Sequence, residues 1–199
     1  MGRPCGCAMA TMTNSKSALV LIADGTEEIE LYDALVRAGI KVTSAYVGPP
    51  GNTFANCSRG VRIVPDVRFD DVNDPLSYDA LLIPGGAKGA ETLSNNAKVQ
   101  ELVRTFISKK NIVGMICAGT LTALNAKLAR QPLTSHPSVK SELENEFEYS
   151  EESVVVSGTL VTSRGPGTAF PFALKIIDML AGEEKRKEVE APMMFPPRS

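Results

Sequence analysis

Ile112-Val113-Gly114-Met115-Ile116-Cys117-Ala118-Gly119-Thr120-Leu121 is the stretch on which the reading of the fold turns. An apolar run of strand length, 112–116, stops at a cysteine, and Leu121, Leu124 and Leu128 then recur at helical spacing. The stretch predicts a strand, a sharp turn and a helix reaching about Arg130. A cysteine at such a turn lies beside the free N–H groups and positive dipole end of the following helix, which favour thiolate over thiol. Turns of this kind also hold a nucleophile exposed, with N–H groups nearby to receive an oxyanion. A buried structural cysteine is the competing reading.

Working outward, the segments alternate. Ala18 to Ala23 is a continuous apolar run ended by Asp24-Gly25, as expected of a strand buried on both faces. A short helical stretch from Ile29 to Ala38 closes at Gly39, and 41–47 reads as a second strand. Residues 53–64 read as a small hairpin, and 80–83 as another buried strand stopped by Pro84-Gly85-Gly86. Val99, Leu102, Val103, Phe106 and Ile107 place an amphipathic helix over 97–110. Leu133-Thr134-Ser135 reads as a short strand leading to His136. Residues 154–163 read as a tight two-strand unit, and Phe170, Ala173, Leu174, Ile177 and Leu180 as one face of a last helix. Strands alternating with helices imply an α/β sandwich with a mostly parallel sheet.

Composition narrows the function classes. The 199 residues are 43% hydrophobic and 22% charged, with a net charge of −2, so no basic field for nucleic acid is implied. Lys185-Arg186-Lys187 is flanked by glutamates and reads as a solvated helix face. No apolar run approaches the roughly 20 residues that span a bilayer. Residues 1–15 read as a flexible leader, 16–192 as one domain and 193–199 as a tail in which Met193, Met194 and Phe195 pack over the core. Gly2, Cys5 and Cys7 invite an acylation reading, but Gly6 stands where the myristoylation pattern wants Ser or Thr. Only Arg3 and Lys16 are basic near the start, which argues against a transit peptide. The cysteine count suits a reducing compartment: cytoplasm first, with nucleus and mitochondrion as alternatives.

Sites in sheets of this kind form beyond the carboxyl ends of the strands. The residues there are Asp24 to Glu30, Gly85-Gly86, Cys117 and His136. Gly85 and Gly86 offer unobstructed N–H groups, while Glu27 and Glu28 read as first-turn helix residues. His136 is the only histidine, so a multi-histidine metal site is excluded and any imidazole acid or base must be this one. No cysteine and histidine combination has structural-zinc spacing; neither metal nor cofactor is expected.

Ala23-Asp24-Gly25-Thr26-Glu27-Glu28-Ile29-Glu30, Ile83-Pro84-Gly85-Gly86, Met115-Ile116-Cys117-Ala118-Gly119 and Thr162-Ser163-Arg164-Gly165-Pro166-Gly167-Thr168 together resemble the ThiJ/PfpI superfamily, in its Parkinson-disease protein deglycase branch. The resemblance runs from about Lys16 to Pro192. It implies a flavodoxin-like three-layer α/β sandwich that forms homodimers. It implies Cys117 as an oxidation-prone nucleophile, Glu30 as a buried glutamate bonded to it, and His136 as the active-site histidine. Gly85, Gly86 and Ala118 would border the thiol as an oxyanion site, with Arg59 and Arg164 at the pocket. The implied activities are deglycation of glyoxal- and methylglyoxal-modified proteins and nucleotides (hence a link to DNA repair) and glutathione-independent glyoxalase chemistry, with protection against oxidative stress. A redox sensor or chaperone switched by oxidation of Cys117 is the alternative.

Two departures matter. Peptidase-like members carry a histidine directly after the nucleophile, and here that residue is Ala118, so a peptidase loses its base. The helix after Glu30 is also short by about three residues, which is not a whole turn of about 3.6. The helix must shift or rotate, and it belongs to the family's dimer contact.

Overall fold

The computed structural model describes residues 15–27 and 30–195. The acylation reading at Gly2, Cys5 and Cys7, and the leader up to residue 14, lie outside the described residues; the tail is described as far as Phe195.

The sheet is built from β1 (Ser17–Ile22), β2 (Lys41–Tyr46), β5 (Val67–Arg68), β6 (Ala80–Ile83), β7 (Ile112–Ile116), β10 (Val154–Ser157) and β11 (Leu160–Ser163). Its spatial order is β10-β11-β7-β6-β1-β2-β5. Every pairing is parallel except β10 with β11. β6, β7 and β11 are buried at every position, and β1 at all but its first. That is why these segments read as unbroken apolar runs rather than alternating ones. Leu19, Leu21, Leu81 and Leu82 are fully buried. Each contributes about 1.5–3 kcal/mol relative to exposure.

Helices cover both faces. α1 (Glu30–Arg37), α6 (Ala169–Ala181) and α7 (Glu183–Glu190) pack together on one side, and α2 (Ala87–Asn95), α3 (Ala97–Ser108) and α4 (Leu121–Asn125) on the other. The architecture is the expected flavodoxin-like three-layer sandwich. β3 (Ala55–Asn56) and β4 (Arg62–Ile63) form the anticipated hairpin. α7 joins Lys187 to Glu183 and Lys185 to Glu188 along its own surface, as a solvated mixed-charge helix should. Met193 packs against the core, whereas Met194 is exposed. Phe195 meets Phe170 edge to face at 5.4 Å. No helix among the described residues is long and apolar enough to cross a membrane.

Three details differ from the sequence reading. α4 stops at Asn125 instead of reaching Arg130, because Lys127 turns to φ +53° and ends the helical path. α2 was not expected at all. Third, the strand before His136, β8 (Pro132–Leu133), pairs with β9 (Glu148–Tyr149) in a separate ribbon. β11 already occupies the place beside β7, so Thr134 is tied to the main layer by side chains. Thr162 Oγ1 accepts from the Thr134 N–H at 2.9 Å, and Thr120 Oγ1 donates to the Thr134 carbonyl at 3.3 Å.

Candidate active site

Strand register brings the site together. Val20 lies beside Leu82, Ile83 beside Met115, and Ile116 beside Ser163. The carboxyl ends of β1, β6, β7 and β11 therefore share one rim. The chain leaves β1 for β2 on one side and comes back to β6 on the other, so the topological switch lies between β1 and β6. Residues following β1, β6 and β7 meet there.

Cys117 follows β7 with φ +61°, in left-handed space that a non-glycine residue enters only under constraint. The constraint is local and bonded. The His136 N–H donates to the Cys117 carbonyl at 3.3 Å, and residues 117–120 form a tight 3₁₀ turn. Backbone N–H groups of Ala118 and Gly86 donate to the sulfur. Its neighbour is Glu27, to which the thiol hydrogen bonds.

Glu27 is held by a stitched loop. Thr26 Oγ1 accepts from the Ala23 N–H at 2.9 Å, and the Thr26 N–H donates to the Ala23 carbonyl at 3.1 Å. The Gly25 N–H donates to Asn56 at 2.7 Å and the Glu27 N–H to Gly85 at 3.1 Å. Gly85 is where sulfur and carboxylate converge. A Cβ there would lie 2.9 Å from Cys117 Sγ and 2.9 Å from Glu27 Oε2, so the missing side chain is what lets the two meet. Glu30, expected as the acid beside the sulfur, opens α1, and its side chain lies outside the described residues.

The remaining expected residues divide. Gly86, Ala118, His136 and Arg59 line the same cavity of about 560 Å³ as Cys117 and Glu27. Arg164 does not line it; its guanidinium bridges the Glu151 carboxylate at 2.6 Å and the Glu151 carbonyl at 2.9 Å. Asp24, from the rim segment read in the sequence, also lines the cavity, as do Asn56, Cys57, Lys88 and Ser138, which were not expected there. Their signal in the sequence was position: Asn56 and Cys57 lie in the expected 53–64 hairpin, Lys88 lies two residues after Gly86, and Ser138 two residues after His136. His136 Nδ1 accepts from the Ser138 N–H at 3.2 Å, which leaves the proton of a neutral imidazole on Nε2. A larger groove of about 790 Å³ lies between Leu174, Arg186 and Phe195, but no cysteine, serine, threonine or histidine lines it.

Residues 16–179 match the DJ-1/PfpI family. The chain belongs to that family. It is 43% identical over 180 residues to the protein dj-1beta of Drosophila melanogaster, covering 88% of this chain and 95% of that one. It is 38% identical over 186 residues to a Schizosaccharomyces pombe protein named glutathione-independent glyoxalase DJ-1, covering 89% and 97%. The solved structure of Schizosaccharomyces pombe DJ-1 superposes with a TM-score of 0.86 at 37% identity, covering 90% of this chain and all of that one.

Within this DJ-1/PfpI site one electrostatic expectation is reversed. Burial pushes the Cys117 thiol pKa up, and the Glu27 charge adds to the rise; the Ala118 and Gly86 N–H bonds oppose both without winning. The helix that was to favour thiolate is a 3₁₀ turn followed by only five α-helical residues, too short for a strong dipole. Alkylation of Cys117 by iodoacetamide is therefore expected to rise with pH through values above the ordinary thiol range. Glu27→Gln removes the neighbouring charge, so its midpoint moves down and alkylation at neutral pH speeds up. A midpoint unmoved by Glu27→Gln, read by mass spectrometry of the modified peptide, removes Glu27 as the cause.

Proposed function

We propose that this chain is a cysteine-dependent, glutathione-independent glyoxalase and protein or nucleotide deglycase acting on methylglyoxal, glyoxal and their adducts. The observation that carries the reading is the Cys117 thiol bonded to Glu27 with two backbone N–H donors on the sulfur, all in one cavity. The name of the Schizosaccharomyces pombe relative supports it.

The geometry suggests how each group acts. As Cys117 Sγ attacks the aldehyde carbon, its proton passes to Glu27, so nucleophile and base are delivered together despite the raised thiol pKa. The S–C bond forms as the C=O π bond opens, and N–H groups at Gly86 and Ala118 lie beside the new oxyanion. Protonated by Glu27, that oxygen gives a hemithioacetal. Removal of the hydrogen on the aldehyde carbon and its return to the neighbouring ketone carbon oxidise the first and reduce the second. The result is a lactoyl thioester, formed with no external oxidant. Water then cleaves the thioester, releasing lactate and restoring the thiol. Proton transfer from His136 Nε2 assists where it reaches the reacting oxygen. On a glycated amine the same attack forms an adduct that expels the free amine.

A redox sensor or chaperone switched by oxidation of Cys117 is the second reading; it is told apart by a binding or chaperone activity that appears only after mild oxidation, whereas the enzyme turns over in its reduced form. A homodimer is proposed as well: α1, which the resemblance assigns to the family's dimer contact, exposes Val36, and Val61 and Val64 beside β4 are further exposed apolar residues. Cytoplasm is the proposed compartment.

The test is lactate formation from methylglyoxal without glutathione. Glu27→Gln is expected to lower kcat by about 10²–10⁴-fold, the ordinary worth of a positioned acid–base group. Glu30→Gln and His136→Ala are measured alongside. If Glu30→Gln, not Glu27→Gln, gives the large loss, the acid role goes to Glu30; if wild type forms no lactate, the glyoxalase reading is wrong.

A further inference from the structure

The cavity above Cys117 carries two cations that its mechanism does not use. Lys88, the second residue of α2, and Arg59, beyond β3, both line it and both are exposed. Neither makes an ion pair among the described residues. The acids of the same cavity are otherwise engaged. Glu27 lies against the sulfur, and Asp24 accepts the Asn56 N–H at 3.0 Å. Arg164, by contrast, is neutralised by Glu151.

The stem of Lys88 is placed by the loop that carries Glu27. A Cβ on Gly25 would lie 2.6 Å from Lys88 Cβ, so the loop runs directly beneath this side chain. α2 follows its N-cap Gly86 with no side-chain cap, so no side chain closes its start at the same mouth. Two cations that make no ion pair among the described residues, and an uncapped helix start, thus line the opening through which a substrate reaches sulfur.

We propose that Lys88 and Arg59 are specificity residues that select α-oxoaldehydes bearing a negatively charged group at the end remote from the aldehyde, either a carboxylate or a phosphate. The inference rests on the glyoxalase reading above and deepens it. The aldehyde meets Cys117 while the anion sits between the two cations, and the chemistry is unchanged. For 4,5-dioxopentanoate, the aldehyde carbon is oxidised and the adjacent ketone carbon reduced, water is added, and 2-hydroxyglutarate leaves.

The experiment compares kcat/KM for 4,5-dioxopentanoate and for 2-oxo-3-phosphooxypropanal with that for neutral methylglyoxal, in wild type, Lys88→Gln, Arg59→Gln and the double variant. Wild type is expected to favour the anionic probes, and the double variant to lose about three- to tenfold of that ratio, since a part-exposed charge contact is worth up to about one decade in rate. Added salt should shrink the wild-type ratio in the same direction. Loss confined to the carboxylate or to the phosphate probe identifies which anion is read. A ratio that the substitutions leave unchanged overturns the proposal, with the glyoxalase reading intact.

A second measurement does not need turnover. Cys117 displaces iodide from iodoacetate, which is anionic, and from iodoacetamide, which is neutral. The ratio of the two alkylation rates should fall in the double variant by a similar factor. If no dicarbonyl is turned over, the glyoxalase reading fails and this ratio alone decides whether the mouth selects anions; an unchanged ratio ends the proposal.

Discussion

Cys117→Ala will abolish lactate formation. The sulfur is the atom that bonds to the substrate, and no other group in the cavity substitutes for it. Cys57 lines the same cavity but belongs to the β3–β4 hairpin, away from the turn at 117–120 and from Gly85, where sulfur and carboxylate converge. Removing a covalent nucleophile should lower kcat by about 10⁴-fold or more, to the residual rate that binding and oxyanion contacts support alone. Cys117→Ser is expected to be nearly as inactive, because a hydroxyl beside a carboxylate is a far weaker nucleophile than a thiol. Both variants should fold: the residue is small, and its backbone bonds to His136 and the 3₁₀ turn do not involve the side chain. Unfolding curves recorded with the lactate assay separate loss of chemistry from loss of structure. Wild-type turnover by Cys117→Ala would exclude the covalent mechanism.

The second large effect is structural. Gly86 has φ +88°, and a Cβ there would lie 2.1 Å from the Gly25 carbonyl oxygen and 2.8 Å from the Glu27 nitrogen. Both atoms are backbone, so neither can rotate away. Gly86→Ala must therefore push apart the loop after β1 and the loop after β6, or change its own φ and lose the N–H bond to the sulfur. Left-handed strain and overpacking each cost about 1–3 kcal/mol, so a loss near 4 kcal/mol is expected. Denaturant midpoints measure it, and lactate formation should fall with it because Gly85 and Glu27 move together. A variant as stable and active as wild type would show that the two loops are not locked.

Much of this was legible in the chain, for physical reasons that differ by element. The core strands announced themselves because parallel strands buried on both faces carry no polar alternation; Leu19 to Ile22, Leu81 to Ile83 and Val113 to Ile116 are apolar almost throughout. Cys117, Gly85 and Gly86 stood out because they end such runs. α2 was missed because Ala87-Lys88-Gly89-Ala90-Glu91-Thr92 shows no apolar period. Its inner face is made of Gly89, Ala90 and Ser94, small residues that let the helix approach the Thr26 loop, with only Leu93 reading as core. The placement of Glu27 was not legible either. Its proximity to sulfur depends on the Glu27 N–H to Gly85 bond and on the contact between hairpin and loop, both long-range. By sequence alone it was one of several acids before a helix. The reversed thiol electrostatics followed first from burial of the sulfur and then from this contact with Glu27.

The left-handed backbone at Cys117 sets stability against chemistry at a single position. Glycine would relieve the torsion there and make the molecule tougher. A directed-evolution campaign that rewards only survival at high temperature should therefore drift toward discarding this thiol, and would need a paired screen for aldehyde consumption to keep it.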